Sequence, residues 1–76
     1  MLPIKGTSPE NNMLFIGGFI IKELKKRKVL SIKEIFTIGT RELSVSVDHI
    51  ILALDWLYVS LIIKYNDKDV FLNEAS

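Results

Sequence analysis

The chain has 76 residues, which allows one small domain. It has ten lysine or arginine residues against nine acidic ones, so its net charge does not attract nucleic acid or anionic membranes. It contains no cysteine, which excludes a disulfide framework, a thiol nucleophile and a cysteine zinc site, and we expect a cytoplasmic protein. Apolar residues make up 49% of the chain, more than so small an interior easily hides, so some of them should face a partner.

The first predicted elements are an extended arm and a long helix. Residues 1–8 contain a proline and a glycine without periodicity, and we expect them to form an N-terminal arm on a single domain spanning 1–76. Ser8-Pro9-Glu10 is typical of a helix start and predicts a helix over 9–27. The apolar stripe of this helix comprises Met13, Ile16, Gly17, Ile20, Ile21 and Leu24.

A short strand and a second helix should follow. Val29 and Leu30 are apolar β-formers, and Ser31 with Glu34 has the spacing of a capping box. This pattern predicts a helix over 32–38, stopped or kinked at Gly39-Thr40. Its inward side chains should be Ile32, Ile35 and Phe36.

The last third of the chain predicts a third helix and a β-hairpin. Ser44 or Ser46 can cap a helix over 47–60. A strand over 61–65, a polar turn over 66–69 and a strand over 70–72 then follow. The main apolar stripe of the third helix should contain Val47, Ile50, Ile51, Leu54, Leu57, Tyr58 and Leu61.

The order of helix, short strand, helix, helix and hairpin is that of a winged helix-turn-helix domain. We therefore predict a mainly α-helical fold with three helices and a small β-hairpin as the wing. No membrane span or cleaved leader is expected, because the apolar run 13–21 is too short and the run 47–63 is interrupted by charged residues.

Residues for catalysis are scarce. His49 is the only histidine, and a nucleophile for it would have to come from Ser44 or Ser46 on its own flank, where neighbouring helical side chains point apart. Gly17 and Gly18 lack the lysine and hydroxyl residue of a phosphate loop. We expect no catalytic site, cofactor, metal or small-molecule substrate, and hence no enzyme.

Nucleic-acid binding, which a winged helix suggests, has little support in the charges. The third helix would be the recognition helix, yet it contains two aspartates and neither lysine nor arginine. A basic tract could instead contact phosphates or simply complement the helix dipole, and we expect any DNA contact to be weak or indirect. The candidate residues are Lys25, Lys26, Arg27, Lys28 and Lys33.

The surplus apolar residues indicate a protein partner. Leu52, Trp56 and Val59 lie on a second stripe of the third helix, away from its main one. Phe15 and Phe19 likewise leave the main face of the first helix. Because exposed aromatic stripes usually mark interfaces, we predict that these five residues bind a protein.

Several segments resemble a known family over almost the whole chain. They are Leu2-Pro3-x-Lys5, Pro9-Glu10, Leu14-x-Ile16-Gly17, Ala53-Leu54-Asp55-Trp56-Leu57-Tyr58 and Leu61-Ile62. Together they resemble the small middle component of prokaryotic ABC-three-component systems, which include the Lamassu type of anti-phage defence. Residues 37–44 contribute nothing to this resemblance.

The resemblance implies a non-catalytic adaptor subunit that binds an SMC/Rad50-like ABC ATPase and an effector, often a nuclease. The competing interpretation is a free-standing DNA-binding winged-helix regulator. A toxin or antitoxin partner also fits the size of the chain. An obligate subunit should aggregate alone and be rescued by its neighbour, whereas a regulator should be soluble and bind DNA at low salt.

Overall fold

The computed structural model describes residues 9–73, with side chains from residue 13 onward. Its elements are α1 (Pro9–Arg27), β1 (Val29–Ser31), α2 (Ile32–Leu43), α3 (Val47–Val59), β2 (Ile63–Asn66) and β3 (Asp69–Leu72). The predicted fold class, mainly helical with a small β-hairpin, is confirmed, and the arrangement is consistent with a winged-helix domain. The predicted arm and the Ser8 cap lie outside the described residues.

The three strands form one antiparallel sheet in the order β1-β3-β2. Val70 of β3 pairs with Leu30 on one side and Tyr65 on the other, and this row faces the helices, with Leu30 and Val70 buried. Because side chains alternate along a strand, the row containing Val29 and Phe71 lies on the opposite face. The sheet therefore covers the helices on one face and presents the other to the surroundings.

Helix α2 is longer than expected, because it continues through Gly39 to Leu43. The prediction that the helix ends at Gly39 is wrong. A Cβ atom at Gly39 would lie 2.6 Å from Cδ1 of Ile50, so the glycine allows α2 and α3 to pack closely. The helix begins as predicted, with the Ser31 hydroxyl accepting from the Glu34 amide at 3.1 Å. Its C-cap is Ser44, whose φ is 57°.

Helix α3 begins at Val47 after its N-cap Ser46 and ends at Val59. The predicted strand over 61–65 starts too early, because Leu61 has a left-handed φ of 64° and residues 60–62 form a turn. The hairpin itself is present, and a two-residue turn at 67–68 joins its strands. No helix in the described part of the chain is both long and apolar enough to cross a membrane.

The core lies between α1, α3 and the inner face of the sheet. Glu23 is the one buried charged residue described, and its Oε1 accepts from Nε of Arg27 at 3.1 Å. On α1 the predicted stripe is correct, with Ile16, Gly17, Ile20 and Leu24 buried. The buried apolar residues are Ile16, Ile20, Leu24, Leu30, Ile35, Ile50, Ala53, Leu54, Leu57, Ile63 and Val70.

Candidate protein-interaction surface

The buried side of α3 determines which of its residues remain available to a partner. Ile50, Ala53, Leu54 and Leu57 point into the core. The predicted stripe is partly wrong, because its other members are exposed; these are Val47, Ile51, Tyr58 and Leu61. Ala53 is fully buried and Ile51 is exposed, so the buried arc of α3 lies on the Ala53 side of the helix.

Leu52, Trp56 and Val59, the predicted partner residues of α3, lie outside the core. Leu52 is half exposed and Val59 is 76% exposed. Trp56 is 38% exposed, so part of its ring is covered by the domain itself. We call these three residues the outer face of α3, and their binding to a protein remains a prediction.

The covered part of Trp56 packs on α1. A Cβ atom at Gly17 would lie 3.1 Å from Cζ3 and 3.5 Å from Cε3 of the Trp56 ring. Gly17 is buried beneath this ring, and the lack of a side chain there makes room for it. Trp56 therefore helps to hold α3 against α1 and presents the rest of its ring outward.

A second apolar flank of α3 contains Val47, Ile51 and Tyr58. At about 100° per residue, Asp48 and Asp55 project between this flank and the outer face. The two aspartates thus divide the exposed surface of α3 into two apolar parts.

The aromatic ring of Tyr58 contacts the sheet. Its centroid lies 4.9 Å from that of Tyr65, with an angle of 37° between the ring planes. Burial raises the pKa of Tyr65, and the nearby Asp55 and Tyr58 raise it further. This side of α3 is therefore partly engaged by β2.

The two phenylalanines of α1 lie on a different side of this helix from its contact with Trp56. Phe15 is exposed, and Phe19 is half-buried beside Ile35 and Ile38 of α2. Both side chains project from α1 about 160° away from Gly17, the residue on which the Trp56 ring packs. Phe15 and Phe19 therefore belong to a different flank of α1.

Leu14 is an exposed apolar residue that was not among the five predicted partner-binding residues. It lines a shallow surface groove on α1 together with Phe15, Gly18 and Phe19. It also projects only about 60° from Gly17, between that contact and the phenylalanines. The sequence already indicates that Leu14 could be exposed, because it does not belong to the predicted apolar stripe of α1.

The basic residues do not form one surface. Lys25 and Lys26 are exposed on α1, whereas Arg27 pairs with Glu23. Arg27 and Lys33 line a shallow pocket with Arg41 of α2, which was not among the predicted residues. Lys28 instead lines a groove on the other side of the sheet with Lys64. Phosphate contact by these residues remains a prediction.

One polar contact differs from the expectation. Oγ of Ser46 lies 3.0 Å from Nδ1 of His49, so these two side chains meet and do not point apart. The contact joins the N-cap residue of α3 to a side chain of its first turn, and no carboxylate hydrogen bond orients the His49 ring in the described chain. Among the described residues no group of three or more histidines and carboxylates could hold a metal ion.

The described fold is a small, mainly helical domain that carries more apolar surface on α1 and α3 than its core uses. Residues 2–73 match the family model of the ABC-three component (ABC-3C) system Middle Component 6, and the chain belongs to this family. It is thus a middle component of a multi-component system. No curated protein and no solved structure matches it.

Proposed function

We propose that the chain is a non-catalytic adaptor subunit of a Lamassu-like prokaryotic defence complex. In this proposal it acts in the cytoplasm and binds an SMC-like ABC ATPase and an effector nuclease. The observation that carries the proposal is the outer face of α3, where Leu52, Trp56 and Val59 are exposed although the opposite side of the helix is already filled by the core.

The chemistry of this face suits a protein partner. Leucine and valine offer apolar area, and the half-covered tryptophan is held in place by its contact with Gly17. A ring fixed in this way loses little conformational freedom on binding, and tryptophan is a favoured anchor at the centre of interfaces. Membership in a family of middle components supports the proposal, because such a component has other subunits to contact.

The charges of α3 argue against a free-standing DNA-binding regulator. Asp48 and Asp55 lie on its exposed side, and the helix contains no lysine or arginine. A recognition helix in a phosphate-lined groove needs the opposite charge. We therefore place the partner-binding function on α3 and treat DNA binding as an outcome that the experiment can reveal.

The test is co-expression of the full chain with the other two components of its system. Val59→Arg places a long charged side chain on the outer face, while arginine favours the helix more than valine does. Leu61→Arg is the matched control, because Leu61 is 73% exposed against 76% for Val59 but lies in the turn after α3.

We expect Val59→Arg to remove the chain from the purified complex and Leu61→Arg to leave it there. Circular dichroism of each variant checks that the helices remain folded. Equal recovery of the Val59→Arg chain in the complex would overturn the proposed interface. Tight binding of the wild-type chain to duplex DNA, with no assembly, would favour the regulator.

A further inference from the structure

A second surface with distinct chemistry lies where the outer face of the sheet meets the end of α1. There a shallow groove of about 410 Å³ is lined by Val29 and Phe71 of the outer face, by Leu24, Leu72 and Asn73, and by two lysines, Lys28 and Lys64. None of these residues belongs to α3. The groove is therefore a separate candidate for binding.

The register of the strands explains how the groove forms. Phe71 pairs with Val29 of β1 on one side and with Lys64 of β2 on the other, so the three side chains form one row across the sheet. Adjacent strands lie about 4.8 Å apart, which places Val29 and Lys64 about 10 Å from each other. Lys28 precedes Val29 and adds a second ammonium group at the β1 end of the row.

Both lysines carry charges that the described chain does not neutralise. Neither Lys28 nor Lys64 forms an ion pair with any described residue, and no described carboxylate lines the groove. The pocket around Arg27, Lys33 and Arg41 differs in this respect. There Glu34 lines the pocket, and Arg27 and Arg41 are paired with glutamates at 3.1 and 3.5 Å.

The backbone at Lys28 ends α1 at the edge of the groove. Its φ is 76°, and its amide donates to the Leu24 carbonyl at 2.7 Å, which closes α1 with a left-handed residue. Glycine or asparagine adopts this conformation at lower cost than lysine. The lysine thus keeps a cation at the edge of the groove in a conformation that other residues adopt more easily.

The combination of an apolar floor and two unneutralised ammonium groups selects one kind of occupant. We propose that the groove binds an acidic segment of a partner protein, in which carboxylates flank an apolar side chain. The carboxylates contact Lys28 and Lys64, and the apolar side chain covers Val29 and Phe71. A nucleic acid fits less well, because it would leave the apolar floor without a matching surface.

The test uses the full chain, free or in its complex, and a fluorescein-labelled peptide in which glutamate alternates with leucine. The same peptide with glutamine in place of glutamate reports the contribution of charge. The variant Lys28→Asn/Lys64→Gln removes both cations, and asparagine keeps the left-handed backbone. The control Lys26→Gln/Lys68→Gln removes the same charge outside the groove lining.

We expect saturable binding of the glutamate peptide in fluorescence anisotropy, and binding at least about tenfold weaker by the Lys28→Asn/Lys64→Gln chain. The control variant should bind within about twofold of wild type. Equal loss in both variants, equal binding of the glutamine peptide, or no saturable binding would overturn the proposal. Stronger binding of a duplex DNA than of the glutamate peptide at these lysines would also overturn the proposal.

Discussion

Gly17 and Gly18 are neighbours in α1, and the structure predicts different responses to the same substitution. A Cβ atom at Gly18 would meet no atom within 4 Å, whereas one at Gly17 would lie 3.1 Å from Cζ3 of Trp56 and 3.6 Å from Cδ2 of Leu57. Alanine in a helix interior is favoured over glycine by about 1 kcal/mol. Gly18→Ala should therefore raise the free energy of unfolding by about that amount.

At Gly17 the same gain in helix propensity is offset by the contact with Trp56. A separation of 3.1 Å requires the ring to move by a few tenths of an ångström, and the fully buried Leu57 beside it restricts that movement. We expect Gly17→Ala to be neutral or to lower the free energy of unfolding by about 1 kcal/mol. The adjacent glycine serves as the matched control.

Without the Trp56 ring, Gly17→Ala should become stabilising. An aromatic side chain buries roughly 150–250 Å² when fully covered, and the 62% of Trp56 that is not exposed corresponds to about 2–4 kcal/mol at 25 cal/mol per Å². Trp56→Ala should lower stability by this amount at most. In that background, Gly17→Ala should stabilise as much as Gly18→Ala does, by about 1 kcal/mol.

Urea unfolding of the four single and double variants, followed by circular dichroism, measures these free energies. The double-mutant cycle between Gly17→Ala and Trp56→Ala isolates the contact, with an expected coupling of about 1–2 kcal/mol. The reasoning fails if Gly17→Ala stabilises the wild-type chain as much as Gly18→Ala does. It also fails if Trp56→Ala leaves the free energy of unfolding unchanged.

Two further predictions concern local contacts. Ser31→Ala should lower the free energy of unfolding by about 1 kcal/mol, because it removes the capping box with Glu34. Ser46→Ala should cost less than half as much, since the Ser46 side chain makes no cap hydrogen bond. Equal losses of stability in thermal unfolding of the two variants would contradict this. The pKa of Tyr65 in the folded chain should lie above its ordinary value of 10.0. The unfolded state then loses this proton first, so the free energy of unfolding should fall as the pH rises above about 10. An ultraviolet titration of the wild-type chain and of Tyr65→Phe measures the pKa, and a lowered value would refute the prediction.

The elements that the sequence predicted well are those with local chemical signals. The boundaries of α1 followed from Pro9 and from the basic residues at its end, and the start of α2 followed from the capping box of Ser31 and Glu34. These signals act within one turn of helix, so they can be interpreted without tertiary structure. The short strand β1 was expected for similar reasons, from two β-forming residues before the cap.

The errors arose where a distant part of the chain decides the outcome. Gly39 resembles a helix stop until Ile50 is known to pack against it. The arc of α3 that is buried depends on the placement of the elements around Ala53, which periodicity alone does not give. Leu61 adopts a left-handed backbone that its residue type does not indicate, and this shortens the predicted strand.

For the candidate surfaces, too, the sequence predicts what one helix determines but not what depends on contacts between elements. Helical spacing correctly separated Leu52 and Val59 from the core, because it is a property of one helix. It could not show that Trp56 also packs on Gly17, a contact between two helices. Nor could it show that Lys28 shares a groove with Lys64, since their proximity depends on the pairing of β3 with both β1 and β2.

The distribution of apolar residues on α3 bears on the proposed contact of this middle component with more than one partner. A chain of this size cannot enclose a helix that is apolar on most of its circumference, so the surplus must remain exposed or be covered by another molecule. Asp48 and Asp55 interrupt that surplus with charge, which limits each apolar part to a few side chains. The groove at Lys28 and Lys64 has the opposite charge and lies on the sheet. Surfaces that differ in both position and charge favour different partners, because a segment that suits one is repelled by the other.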